Sequence, residues 1–425
     1  MEYRTLVLKG QAVTSAAFIG PYSRGGDRET IVDVILKIHP YDEDDWKQID
    51  KMHKKIFNKK FRDHNKDSYG NSWVFSWHCL DHVGYKINPR KRDLGHHKVF
   101  DKYQTLLKRH KGKFKDDIYW HFHPMSMFRE AHKCATSYVN SNELYQILSK
   151  KIIDRSFFPS CFRAGFQAER PDSNLFLEQW IPYDITNMSY ENKKHLERNV
   201  DFKNGRSGDW RRATTEWEIY NPDHDDYQKK GKCRRYIGRA LNVLNRIASI
   251  NDHEMHKAFR RANNNLPTLV GFASHDFRDL EHEVNYLRNM IKKTSKKFPK
   301  VKYIFCNTKD GFNRYLWRSK KNKTAPIKLE VKYFHDKGDV PRVVVKAKQG
   351  EVFGPQPFLC FKRKDKIYSH DNFDFDIKKN IWHYAFHGDT LELDKVHTIG
   401  IAANDKYGNT YVRRFKIENK KIKFF

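Results

Sequence analysis

Ile118-Tyr119-Trp120-His121-Phe122-His123-Pro124 is the stretch on which the fold turns. Six apolar or aromatic-rich residues ending at a proline read as a buried strand, because proline cannot donate to a ladder and stops the run. Amphipathic helical patterns flank it. Val99, Tyr103, Leu106 and Leu107 recur at helical spacing before it, and Leu144, Ile147, Leu148 and Ile152 after it. Asn140 and Glu143 have the spacing of a capping box ahead of the second helix. A strand between two helices is the repeating unit of a parallel sheet.

The alternation extends in both directions. Thr5–Leu8, Ser72–Leu80, Cys161–Ala164, Thr215–Tyr220, Leu266–Ala273 and Val301–Cys306 read as further strands. Helices are predicted over Asp45–Phe57, from Asp172 to Trp180, along Tyr236, Ala240, Leu241, Leu244 and Ile247, along Leu280, Val284, Leu287 and Ile291, and up to Trp317. About seven strand-helix units in succession predict an α/β fold, a distorted (β/α) barrel over residues 1–318. After the lysine-rich connector Arg318–Thr324 the texture changes. Lys328–Tyr333, Val340–Lys346, Phe358–Arg363, Ile381–Phe386, Thr398–Ala402 and Thr410–Ile417 alternate with turn signals, so residues 325–425 are expected to form a small all-β, sandwich-like domain.

Composition narrows the function classes. Hydrophobic residues make up 38% and aromatics 14% of the 425 residues, enough for a packed interior and against global disorder. No run approaches the ~18 apolar residues of a membrane span. MEYRTLVLKG lacks the pattern of a secretory leader, so a cytoplasmic location is expected. Six scattered cysteines without a C-x-x-C pair are expected to be reduced, buried thiols. The net charge of +30 suggests an anionic partner, such as a charged glycan or a membrane-surface lipid carrier, or else a compositional bias. There is no zinc-finger spacing, aromatic-basic RNA signature or other dedicated nucleic-acid motif.

In parallel α/β folds, chemistry gathers at the C-terminal ends of the strands. Those ends here carry Trp77-His78-Cys79-Leu80-Asp81-His82, His121-Phe122-His123, Phe162-Arg163-Ala164-Gly165, Glu216 with Glu218, and Ser274-His275-Asp276. His121 and His123 are two apart, so a strand points both imidazoles to one face. With Asp81-His82 they suggest a catalytic divalent-metal site, Zn²⁺ foremost, with protein ligands and an open position. Satisfied core histidines are the simpler alternative. Asp276 reads as a helix N-cap, Glu216 and Glu218 as a solvated pair, and Trp210 and Trp217 as core or a sugar-stacking platform.

Cys79-Leu80-Asp81-His82-Val83-Gly84, His121-Phe122-His123-Pro124, Phe162-Arg163-Ala164-Gly165 and Phe272-Ala273-Ser274-His275 together resemble the polysaccharide deacetylases, carbohydrate esterase family four, of which the chain would be a divergent member. The resemblance spans residues 70–280. It implies a metal-dependent hydrolase that removes an acetyl group from an amino sugar of a glycan or glycan precursor. It implies that Arg163 supports the catalytic base and that His275 is the acid. With Asp81 as base, His82, His121 and His123 hold the metal; with Asp81 as ligand, the base is unassigned. Two departures stand out. The family has paired aspartates where this chain has Asp81-His82, and its two histidines lie four apart on a helix. The competing reading is a non-catalytic protein on such a barrel that binds a glycan or polyanion.

Overall fold

The computed structural model describes residues 44–81, 97–124, 126–129, 137–139, 141, 143–197, 207–245, 247–317 and 325–425. The strand expected at Thr5–Leu8, the residue His82 and the connector Arg318–Thr324 lie outside the described residues.

Helices α1 (Asp44–Ile56) and α2 (Lys59–Asp63) precede strand β1 (Ser76–Leu80). There follow α3 (Lys98–Arg109), β2 (Asp117–Phe122), α4 (Glu143–Arg155), β3 (Cys161–Ala164), α5 (Pro171–Trp180), β4 (Tyr183–Asn187), α6 (Lys193–Glu197), β5 (Tyr236–Asn242), α7 (Asp252–Asn263), β6 (Gly271–Ala273), α8 (Leu280–Ser295) and α9 (Thr308–Trp317). The six strands form one parallel sheet in sequential order. Right-handed crossovers that always step in one direction put their helices on one face and let the sheet curl. The result is a curled half-barrel rather than a seven-stranded barrel.

Register sorts the side chains into two faces. Leu80, His121 and Arg163 are aligned across β1, β2 and β3. Alternation therefore puts His78, Tyr119, His121, Cys161 and Arg163 on the concave face, and Trp77, Cys79, Trp120, Phe122 and Phe162 on the helix-covered convex face. The lower part of the concave face is filled by α9. Phe312 stacks on Tyr183 with ring centroids 4.7 Å apart, and the Tyr119 hydroxyl donates to Asn307 Oδ1 at 2.9 Å.

Three expectations fail for identifiable reasons. The helix expected from Tyr236 to Ile247 is strand β5. Its convex face carries Arg239, whose guanidinium grips Glu254 through two bonds of 2.7 and 2.8 Å and lies over Trp217, so a buried charge disguised a strand. Val301–Cys306 runs extended but joins no ladder. Its backbone bonds go largely to Asp67 and Ser68, with Phe305 N–H on Asp67 Oδ2 at 2.9 Å and Tyr303 N–H on Ser68 Oγ at 3.1 Å. Thr215–Tyr220 forms only an isolated bridge between Tyr220 and Ile237.

Beyond residue 325 the strands β7 (Lys328–Phe334), β8 (Arg342–Gln349), β9 (Phe358–Arg363), β10 (Tyr368–Asp371), β11 (Asp374–Phe375), β12 (Ile381–Ala385), β13 (Val396–Asn404), β14 (Thr410–Glu418) and β15 (Lys421–Phe424) make two antiparallel sheets, ordered β10-β9-β13-β14-β15 and β11-β12-β8-β7. Val343, Val345, Trp382 and Tyr384 from one sheet meet Leu359, Phe361, Ile399, Ile401 and Phe415 from the other, as in a sandwich. The outer face of the five-stranded sheet is not solvated. Phe358, Cys360 and Ala402 share a core with Leu144, Leu148 and Ile152 of α4 and Trp180 of α5.

Candidate functional site

The concave face gathers His78, His121, His123 and Arg163 toward the C-terminal ends of β1, β2 and β3. His121 bonds through Nδ1 to the Arg163 carbonyl at 2.8 Å, an arrangement that makes Nδ1 the donor. Its Nε2 is thereby left as an acceptor, and it lies 3.0 Å from Nε2 of His123. Metal-binding histidines are commonly fixed in this way, by a backbone carbonyl on the ring nitrogen that does not bind. Burial, chiefly, holds His121 down at about 4, and the Arg163 charge adds to it. Burial and then the Arg163 charge hold His78 at about 3. Both rings are therefore neutral at pH 7, the state in which imidazole ligates metals.

His123 is seated by the turn after β3. Gly165 sits directly under it, and a Cβ at that position would overlap the His123 ring. The Phe166 ring meets His123 edge to face at 4.6 Å. Phe166 holds φ +51° and Gln167 φ +53°, the left-handed region that bulky residues avoid. Such strain collects where a structure must place a group accurately. Phe166 carries no sequence signal of its own, and Gly165 enters only as the last residue of Phe162-Arg163-Ala164-Gly165. The turn is recognisable only once His123 is seen to rest on it.

Arg163 is buried, and Nη1 donates to the Ile185 carbonyl at 2.6 Å. Burial lowers the guanidinium to about 10. Among the described residues no carboxylate lies within ion-pair distance of it. A desolvated cation beside histidines makes this cluster receptive to negative charge.

Asp81 does not join this cluster. It follows Leu80 and so points to the convex face, with Trp120 and Phe122. The Trp120 indole donates to Asp81 Oδ2 at 3.2 Å. Lys151 Nζ of α4 lies 3.1 Å from Oδ1, and His97 Nδ1 lies 3.4 Å from the same oxygen. The side chains of Asp81 and Lys151 are 0% and 1% exposed. Burial alone would raise the Asp81 carboxyl, but Lys151 and His97 outweigh it and hold the group below its ordinary range. The structure thus makes Asp81 a buried structural ion, correcting both of its expected roles, base and metal ligand.

The other expected residues are placed as follows. His275 is exposed on the loop after β6 and stacks on Phe277 at 4.9 Å. Asp276 is not the helix cap. It accepts from the Tyr103 hydroxyl at 2.6 Å, while Asp279 caps α8 through His282 N–H at 3.1 Å. Glu216 pairs with Lys257 at 3.0 Å, and Glu218 with Lys230 at 2.7 Å. Trp210 and Trp217 are fully buried and belong to the core, not to a sugar platform. The described cysteines are all unpaired thiols.

A second group with ligand chemistry lies at the opposite end of the strands. Glu178 Oε2, His224 Nδ1 and Cys233 Sγ converge, and they could hold a metal ion. No sequence signature marks it, because the three residues come from α5 and from two points on the loop before β5. An open cleft of about 400 Å³ at that end, lined by Asp116, Asp117, Asp310 and Arg314, has one of its acids already engaged. Asp116 is held by Arg62 through bonds of 2.7 and 2.8 Å.

No helix among the described residues is long and apolar enough to cross a membrane. Comparison with protein-family models, curated proteins and solved structures found no match.

Proposed function

We propose that the chain is a metal-dependent hydrolase whose site is the concave-face cluster of His78, His121, His123 and Arg163, and that it removes an acetyl group from an amino sugar of a glycan or glycan precursor. The observation that carries this reading is the approach of the two Nε2 atoms to 3.0 Å while His121 Nδ1 is anchored on the Arg163 carbonyl. His121 and His123 are the donors that fit a divalent ion; Asp81, on the other face, is not. A zinc-class ion bound there would supply Lewis-acid polarisation of an acyl oxygen. The chain's own contribution is electrostatic. Arg163, already desolvated, offers N–H donors to the negative charge that develops on that oxygen, where a dry site makes them strongest. Gly165 and Phe166 fix the His123 ring. The acetyl-sugar substrate and the acid role of His275 rest on the resemblance to the polysaccharide deacetylases.

A non-catalytic anion-binding protein is the second reading, favoured by the buried Arg163 without a carboxylate partner among the described residues. One experiment separates the two. Acetate release is measured over acetylated sugars, sugar nucleotides and oligosaccharides, with and without chelator. The hydrolase reading expects chelator-sensitive release that falls at least ~100-fold in a folded His121→Ala/His123→Ala double variant. Release indifferent to that double variant refutes it. Salt-sensitive binding without release from any substrate supports the second reading.

A further inference from the structure

Glu178 sits near the C-terminal end of α5, just ahead of β4, and Cys233 just ahead of β5. Their meeting point is therefore at the N-terminal end of the sheet, the opposite end of the strands from His121 and His123. His224 Nδ1 lies 2.9 Å from Glu178 Oε2, and Cys233 Sγ lies 3.4 Å from each of those atoms. Cys233 and Glu178 are buried, and His224 is exposed.

Three features point to a ligand set rather than a chance cluster. The donors are a carboxylate, an imidazole and a thiol, the mixture that zinc accepts. The remaining Glu178 oxygen is occupied, since Arg234 N–H donates to Oε1 at 3.0 Å, which orients Oε2 toward the other two donors. Outer contacts of this kind are what aim a metal ligand. The loop that carries His224 and Cys233 is also pinned in place. Asn174 Nδ2 donates to the Asp223 carbonyl at 2.5 Å, and Asn221 Nδ2 to the carbonyls of Cys233 and Arg235 at 2.9 and 3.1 Å.

We infer that Glu178, His224 and Cys233 bind a zinc-class divalent cation that ties the loop before β5 to α5. Bond lengths of about 2.0–2.3 Å and tetrahedral angles require donor separations of about 3.4 Å for the oxygen-nitrogen pair and about 3.6 Å for the pairs with sulfur. The pairs with sulfur need to spread by about 0.2 Å and the oxygen-nitrogen pair by about 0.5 Å to reach them. Binding displaces the Cys233 thiol proton to solvent and leaves the sulfur as thiolate; the fourth position opens beside exposed His224 and is filled by water. The site shares no residue with the proposed hydrolytic centre, so each can fail alone.

Cobalt(II) added to the chelator-stripped full chain is the test, because a cobalt-thiolate bond gives a near-ultraviolet charge-transfer band. The expected result is such a band in the wild type and in the His121→Ala/His123→Ala double variant. Cys233→Ala removes it, and His224→Ala weakens cobalt binding by roughly tenfold or more. His224 is exposed, so its variant keeps the fold, as circular dichroism would verify. Zinc should raise the melting temperature of the wild type and leave that of Cys233→Ala unchanged. A folded wild type without the band, or a band that survives Cys233→Ala, overturns the proposal.

Discussion

Asp81→Asn decides whether the Asp81 carboxylate is structural or catalytic. The substitution keeps the shape and keeps an oxygen for the Trp120 indole, but it removes the charge. Lys151 is then left with its ammonium 1% exposed, over the rings of Phe100 at 4.6 Å and Phe157 at 5.9 Å, beside a neutral His97. Breaking a buried pair by removing one partner costs about 3–5 kcal/mol, because the remaining charge is stranded. The contacts with the two ring faces are already made in the wild type and do not offset this. A loss of about 3–5 kcal/mol is therefore expected. Lys151→Met should cost less, since the orphaned carboxyl can take up a proton. The double variant Asp81→Asn/Lys151→Met should recover most of the loss, with a coupling of about 2 kcal/mol.

Urea unfolding followed by tryptophan fluorescence and circular dichroism reads these values, alongside acetate release normalised to folded protein. The pH dependence has a definite sign. Asp81 is held below its ordinary value of about 3.9, so its contribution is complete above that pH and is lost as pH falls through the lower folded value. Wild type and Asp81→Asn should thus converge in strong acid. The reasoning is refuted if Asp81→Asn unfolds within about 1 kcal/mol of wild type at neutral pH. If release per folded molecule also collapsed, Asp81 would have to reach the reacting atoms.

Three further outcomes are expected. Gly165→Ala should push the His123 ring from its seat and lower metal-dependent release by roughly 10–100-fold with little loss of stability, read as metal affinity and rate on the same preparation. His370, stacked on Tyr145 and Phe358, is held at about 4, chiefly by burial; its stabilising contribution is present above about pH 6.5 and is lost as pH falls through 4. His370→Phe should therefore flatten the decline in unfolding free energy over that window, by at most roughly 3 kcal/mol. At Gly400 of β13 a Cβ would lie 2.7 Å from both Cys360 Sγ and Ile152 Cγ2, so Gly400→Ala should cost about 1–3 kcal/mol by prying the sandwich from α4, measured by thermal unfolding.

The sandwich was the most legible part of the chain. Its strands alternate apolar and polar residues between turns, and Phe358–Arg363 begins and ends where the pattern says. The sheet of the first unit was harder, because its strands are buried on both faces and some bury charge. Tyr183–Asn187 went unread: Asp184 looks like a turn residue, yet it is sunk against Arg235 at 2.6 Å, beside Glu169. Arg239 misled the reading of β5 in the same way. Ion networks of this kind satisfy themselves only in three dimensions, and a propensity argument sees merely a polar residue. In the site, His121, His123 and Arg163 were legible from their strand-end positions. His78 was in view but given no role, and Glu178 with His224 and Cys233 left no spacing to find.

The misplacement of Asp81 has a physical lesson that bears on the proposed mechanism. Being at the C-terminal end of a parallel strand is not enough to enter a common pocket; the residue must also have the right parity. Leu80 aligns with His121 and Arg163, so one step along β1 carries Asp81 through the sheet to the helices. There it meets Lys151, an ammonium that α4 buries and that needs a counterion. The same parity gives the C-terminal end of the concave face three imidazoles and a guanidinium, while Asp117, the acid of that parity on β2, lies at the opposite end. A site of that composition stabilises negative charge and leaves its ligands unprotonated, but it lacks a fixed anion to neutralise a dication. If the proposed metal binds there, an anionic group of the substrate would supply charge that the described residues at that end do not. An anionic sugar would therefore bind more tightly with the metal present than a neutral one of the same size.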